Sequence, residues 1–152
     1  MTAKANEARV PPAASRASEK PRGAAWADWT SSGHILVVDD EEAIRNVIQR
    51  ALITIGFTVR IAPSGKEALS LFARESAKFV LVVLDLRMPG MDPGEIVRAL
   101  RAMRPDIKIL LVSGYDRQKA LRHLQEHQLT GFLPKPFNLA ELTAKVKSLL
   151  GD

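Results

Sequence analysis

The chain reads as an α/β domain built on a doubly wound, five-stranded parallel sheet with five helices. Three observations point there. Short apolar runs recur, and the central one, residues 79–84, holds six apolar residues without a break, as a strand buried on both faces requires. Segments with a 3.6-residue apolar period lie between the runs, so strands alternate with helices and the crossovers should be right-handed. Polar residues close the runs, with Asp85 ending the central one, and open α/β sheets place their ligands at that edge.

Residues 1–32 are rich in Ala, Ser, Pro, Lys and Arg without apolar periodicity, and are expected to form a disordered tail before a domain spanning 33–152. Trp26 and Trp29 read as the loosely packed end of that tail, the alternative being that they dock on the domain or on a partner. The first strand, 34–38, runs into Asp39-Asp40-Glu41-Glu42. A helix follows with Ile44, Val47, Ile48, Ala51, Leu52 and Ile55 facing inward, and Gly56 stops it. Residues 57–61 form the second strand. Ser64-Gly65-Lys66-Glu67 is a capping box opening a helix to Arg74, with Ala68, Leu69 and Phe72 inward.

After the central strand, Met88-Pro89-Gly90 holds the backbone open. Asp92 then caps a helix with Pro93 at its first position, running to Met103. Residues 107–112 are the fourth strand, ending in Ser113-Gly114-Tyr115-Asp116. The next helix, to Gln128, is the most polar of the chain, with Lys119, Arg122, His123, Gln125 and Glu126. His123 and His127 share a face there, but without a third ligand they read as polar surface, and His34 merely begins a strand. Gly131 to Phe137 supplies a short last strand and its turn. Asn138-Leu139-Ala140-Glu141 caps a final helix with Leu139, Leu142, Val146 and Leu149 inward.

Composition excludes several functions. A chain of 152 residues, 46% apolar, is one domain large enough to need no metal or disulfide staple. The absence of Cys removes disulfides and thiolate zinc sites and suits a reducing cytoplasm. No run nears the roughly 18 apolar residues of a membrane span, and the first thirty residues, which include Glu7 and Glu19, lack a signal-peptide core. A cytoplasmic location is therefore expected. The net charge of +5 is spread over tail and domain without a dense basic block, which describes a solvated surface better than a nucleic-acid footprint.

Asp39, Asp40, Asp85, Ser113 and Lys135 all fall at or just past the carboxyl ends of predicted strands, which a parallel sheet brings together. Three converging carboxylates repel one another unless a cation joins them. Oxygen-only donors point to a hard divalent ion, Mg²⁺ above all. Asp40 has a plainer alternative as N-cap of the first helix. Lys135 adds a point charge and Ser113 a hydroxyl, a set suited to an incoming phosphoryl group.

The stretches ILVVDDEE, VLDLRMPGMD, LLVSGY and FLPKPF, in this order and spacing, resemble the response-regulator receiver domains of two-component signalling. The resemblance covers about residues 33–150. It implies a flavodoxin-like sheet of order 2-1-3-4-5, the order known for a chemotaxis member of this family. It implies that Asp85 is the phosphoacceptor, loaded from a sensor histidine kinase or a histidine phosphotransfer protein. It implies that Mg²⁺ is held by Asp39, Asp40, Asp85 and the backbone carbonyl of Arg87. Lys135 would contact phosphoryl oxygens, with a cis Lys135-Pro136 bond.

Ser113 and Phe132 would be the switch, acting on the face of the fourth helix, fifth strand and fifth helix. Arg87 and Tyr115 occupy the positions tied to phosphate lifetime, where they either shield the acyl phosphate or extend into solvent. The implied partners are the kinase, a downstream protein target and, in the phosphorylated form, a second copy of the chain. DNA contact in cis and membrane attachment are not expected. Departures are Ser for the commoner Thr at 113, Phe for the frequent Tyr at 132, and Pro for the commoner Gly at 93. The resemblance implies a signalling domain rather than an enzyme. The competing readings are a Mg²⁺-dependent aspartyl-nucleophile phosphohydrolase, disfavoured because such enzymes resemble an Asp-x-Asp pair after the first strand, and an adaptor that works without phosphorylation.

Overall fold

The computed structural model describes residues 33–114, 122 and 130–150. The chain runs through β1 (His34–Val38), α1 (Glu42–Thr54), β2 (Thr58–Ala62), α2 (Gly65–Glu75), β3 (Phe79–Asp85), α3 (Pro93–Met103), β4 (Lys108–Ser113), β5 (Gly131–Pro134) and α4 (Leu139–Leu150). The five strands pair in the order β2-β1-β3-β4-β5, each pair parallel, which is the expected 2-1-3-4-5 sheet. Four helices are seen among the described residues. The helix expected over 116–128 falls, apart from Arg122, outside them, as do Trp26, Trp29, Tyr115, His123 and His127.

Burial follows the alternation of the strands. Leu36, Val38, Val82 and Leu84 point to the side where Phe72 of α2 and Ile96 and Leu100 of α3 close the core. Ile35, Val37, Leu81 and Val83, of opposite parity, are equally buried, as are Ile48 and Leu52 of α1 and Leu142 and Val146 of α4. A sheet covered on both sides explains why its strands carry unbroken apolar runs instead of alternating with polar residues. Phe72 and Phe79 stack at 5.3 Å inside the first of these layers. Each such side chain contributes roughly 1.5–3 kcal/mol by burial.

The helix ends obey local chemistry. Ser64 Oγ accepts from the Glu67 amide at 3.2 Å, and Asp92 Oδ2 from the Gly94 amide at 2.8 Å. Asn138 and Glu141 cap α4 reciprocally, each side chain accepting from the other's amide at 2.7 and 2.9 Å. Gly56, at φ 109°, takes the left-handed conformation that ends α1.

Two inward assignments are corrected. Val47 is 49% exposed and Leu139 52% exposed. The buried strip of α1 is carried by Ile48, Ala51 and Leu52 and continued by Ile55 just past its end, and Val47 sits at its margin. Leu139 is the first residue of α4, one turn ahead of the buried Leu142 and Thr143.

Candidate functional site

Strand register builds the site. Val38 lies opposite Leu84, Asp85 opposite Val112, and Ser113 opposite Pro134. One residue past those pairs, Asp39 stands beside Asp85, and Lys135 follows β5 into the same corner. Asp39, Asp40 and Asp85 each offer a carboxylate oxygen within 4.8 Å of the others. Asp39 and Asp85 are 2% and 4% exposed, as deep as the apolar core, while Asp40 faces solvent.

Lys135 places its ammonium between the two buried acids. Its Nζ donates to Asp39 Oδ2 at 3.2 Å and to Asp85 Oδ1 at 3.4 Å, and lies 3.7 Å from Glu41 Oε1. Asp39 Oδ1 accepts the Glu41 amide at 2.9 Å, and Asp85 Oδ1 accepts the Arg87 amide at 3.4 Å. The Lys135 amide donates to the Ser113 carbonyl at 2.8 Å, and a Cβ on Gly114 would stand 3.3 Å from Lys135 Cβ. Glycine at 114 therefore lets the lysine pass close beneath the turn. The Lys135-Pro136 bond is cis, as expected.

One ammonium does not balance three carboxylates. Burial, and then the charge of Asp39, push the Asp85 carboxyl from 3.8 up to about 6, against the opposing pull of Lys135 and the Arg87 amide. Burial pulls the Lys135 ammonium down, but Asp85 and Asp39 more than offset it and hold the group above its ordinary value. The residual negative charge and the all-oxygen donor set fit a hard dication such as Mg²⁺.

The alternative role for Asp40 does not hold. The N-cap of α1 is Glu41, with no side-chain cap bond, so Asp40 is free of that duty. Ser113 is 3% exposed at the end of β4, and Phe132 on β5 is partly buried against the core. Arg87 is exposed and, with Asp40, Glu41, Asp85, Gly114 and Lys135, lines a cleft of about 280 Å³ over Asp85. His34 packs edge-on against Phe79 at 6.0 Å, away from this corner.

Two residues near the acids had no role assigned to them from the sequence. Arg45 Nη1 donates to the Asp39 carbonyl at 2.8 Å, securing the turn that carries both acids, while its Nε is buried without a hydrogen-bond partner among the described residues. Glu41 is the other. The available signal was position alone: Glu41 follows the acid pair and Arg45 stands one helical turn beyond it.

No described helix is long and apolar enough to cross a membrane. A family model described as the response regulator receiver domain matches residues 35–147. The sensor kinase CckA of Brucella abortus is 42% identical over 123 residues, 81% of this chain but 13% of the kinase. The response regulator MprA of Mycolicibacterium vanbaalenii is 39% identical over 116 residues, 76% of this chain and 49% of that protein. The chain thus spans half or less of these two relatives. Among solved structures, response regulator protein TrrA of Thermotoga maritima, in complex with Mg(2+)-BeF, is 36% identical with a TM-score of 0.67, covering 78% of this chain and 99% of that one.

Proposed function

Since this chain belongs to the response regulator receiver domain family, we propose that Asp85 accepts a phosphoryl group from a histidine kinase or phosphotransfer protein and passes the signal to a protein target. The observation that carries this reading is the buried Asp85 carboxylate, set in a trio of acids with Lys135 Nζ 3.4 Å away and an open cleft above it. In the transfer, an Asp85 carboxylate oxygen forms the new bond to phosphorus. The bond from phosphorus to the donor imidazole nitrogen breaks, and the electron pair leaves with the imidazole. Lys135 would move from its carboxylate partners to a phosphoryl oxygen, and the Ser113 hydroxyl would donate to another.

Asp39, Asp40, Asp85 and the Arg87 carbonyl would hold Mg²⁺, which when bound supplies charge neutralisation for the entering phosphoryl group. The complex of TrrA with Mg(2+)-BeF supports that assignment by similarity. Phosphorylation adds roughly two negative charges at Asp85. Ser113 turning toward them would draw Phe132 inward and alter the surface of β5, α4 and the segment 116–128, where a target or a second copy of the chain would dock. Arg87 and Tyr115 would set how long the acyl phosphate lasts. The location is taken as cytoplasmic, where the kinases of such relays present their phosphohistidine. Residues 33–152 would form the receiver and residues 1–32 a tail outside it.

The adjacency of Asp39 and Asp40, with the nucleophile on β3, supports this reading over a phosphohydrolase. The test is labelling with acetyl phosphate and Mg²⁺, which should add one acid-stable, base-labile phosphoryl group seen by mass spectrometry. Asp85→Asn should take none. Undiminished labelling of that variant would place the acceptor elsewhere.

A further inference from the structure

Glu41 occupies the N-cap of α1, a position that Ser, Thr, Asp and Asn fill because their short side chains reach back to the helix amides. Its carboxylate makes no cap bond. It lies instead 3.7 Å from Lys135 Nζ, completing a tripod of carboxylates around the ammonium with Asp39 at 3.2 Å and Asp85 at 3.4 Å. The other two legs are buried, whereas the Glu41 side chain is 64% exposed and forms part of the rim of the cleft over Asp85. It is the solvent-side anchor of the lysine and a negative charge at the entrance.

We propose that Glu41 is a positioning residue for Lys135 whose charge at the cleft mouth selects against small, highly charged phosphodonors while strengthening dication binding. The inference rests on the reading of Asp85 as phosphoacceptor. A donor reaching Asp85 carries its negative charge past Glu41, and Lys135 must leave Glu41 before it can contact a phosphoryl oxygen. Both effects oppose transfer from a free anion. A dication entering the same cleft is attracted by the same charge. One carboxylate thus acts with opposite sign on the two species, and on the donor in proportion to its charge.

The experiment compares the parent with Glu41→Gln, Glu41→Ser and Glu41→Asp. Two donors are used at neutral pH, doubly charged acetyl phosphate and singly charged phosphoramidate. Transfer from acetyl phosphate to Asp85, with release of acetate, should quicken roughly fivefold in the Gln and Ser variants, and transfer from phosphoramidate roughly twofold. Calorimetric titration of the unphosphorylated protein should show Mg²⁺ binding weakened by roughly fivefold in the same two variants. High salt should erase all three changes. Glu41→Asp, which keeps the charge, should stay near the parent.

Serine restores an N-cap side chain and glutamine does not, so stability should differ between those two variants while their electrostatic changes agree. Donor and Mg²⁺ changes of the same sign, changes that follow stability instead of charge, or no change in either would overturn the proposal. Labelling that persists in Asp85→Asn would remove the phosphoacceptor reading instead. The Mg²⁺ titration would still decide the role of Glu41.

Discussion

At the amino ends of the strands, Arg104 Nη1 donates to the carbonyls of Ser76 at 2.5 Å and Phe79 at 3.1 Å. Arg101 donates to the Ile107 carbonyl at 3.2 Å and Lys108 to the Leu149 carbonyl at 2.6 Å. At the carboxyl ends, Asp39 and Asp85 are buried among the core residues and share Lys135 between them. The chain places charged side chains at both ends, but they do different things. The cations at the amino end satisfy main-chain oxygens that helix and strand termini leave without partners, and that end gains stability. The carboxyl end concentrates like charge in a place with little water, and the displaced Asp85 carboxyl is the sign of it. Such an end stabilises the fold less than an apolar one would, and its oxygen donors and negative charge suit a hard cation.

Substitutions at the two ends should therefore have opposite consequences. Arg104→Leu strands two carbonyls and should cost about 2–3 kcal/mol in urea unfolding. Its labelling by acetyl phosphate should match the parent in the folded protein, because the residue lies at the far end of the strands. A smaller effect belongs to Asp40→Ser. The exposed Asp40 makes no cap bond, so stability should change by less than about 0.5 kcal/mol. Mg²⁺ affinity, measured by calorimetry, should fall by about tenfold. A large loss of stability with unchanged affinity would return Asp40 to a structural role and blur the contrast.

The fold was legible because its determinants are local. The unbroken run at 79–84 became β3, the Asp92 and Asn138 caps opened α3 and α4, and Gly56 closed α1. Asp39, Asp85, Ser113 and Lys135 were legible in position for a related reason, since a parallel sheet gathers the residues at the carboxyl ends of its strands and just past them. What escaped depended on lateral placement. Val47 obeys the 3.6-residue period yet lies at the edge of the covered strip, because periodicity gives direction around a helix and not the width of its neighbour. In sequence Arg45 looks like an ordinary helix-surface charge and Glu41 like one more acid after the pair. Only the folded turn brings one to the Asp39 carbonyl and the other to Lys135.

The contrast rests on a carboxylate that burial first, and the charge of Asp39 second, make costly to ionise, and the stability of the protein against pH measures that cost. Asp85 binds its proton at about 6 in the folded protein against 3.8 for an ordinary carboxylate. Between those values the folded chain keeps a proton that the unfolded chain has released. Stability of the metal-free protein should therefore fall as pH rises from about 4 to about 6, by up to about 3 kcal/mol, and remain at the lower value above that. Asp85→Asn should lack this component and be the more stable protein at pH 7, and saturating Mg²⁺ should stabilise the parent there far more than the variant. Identical pH profiles for the two proteins, with no stabilisation of the parent by Mg²⁺, would contradict the account.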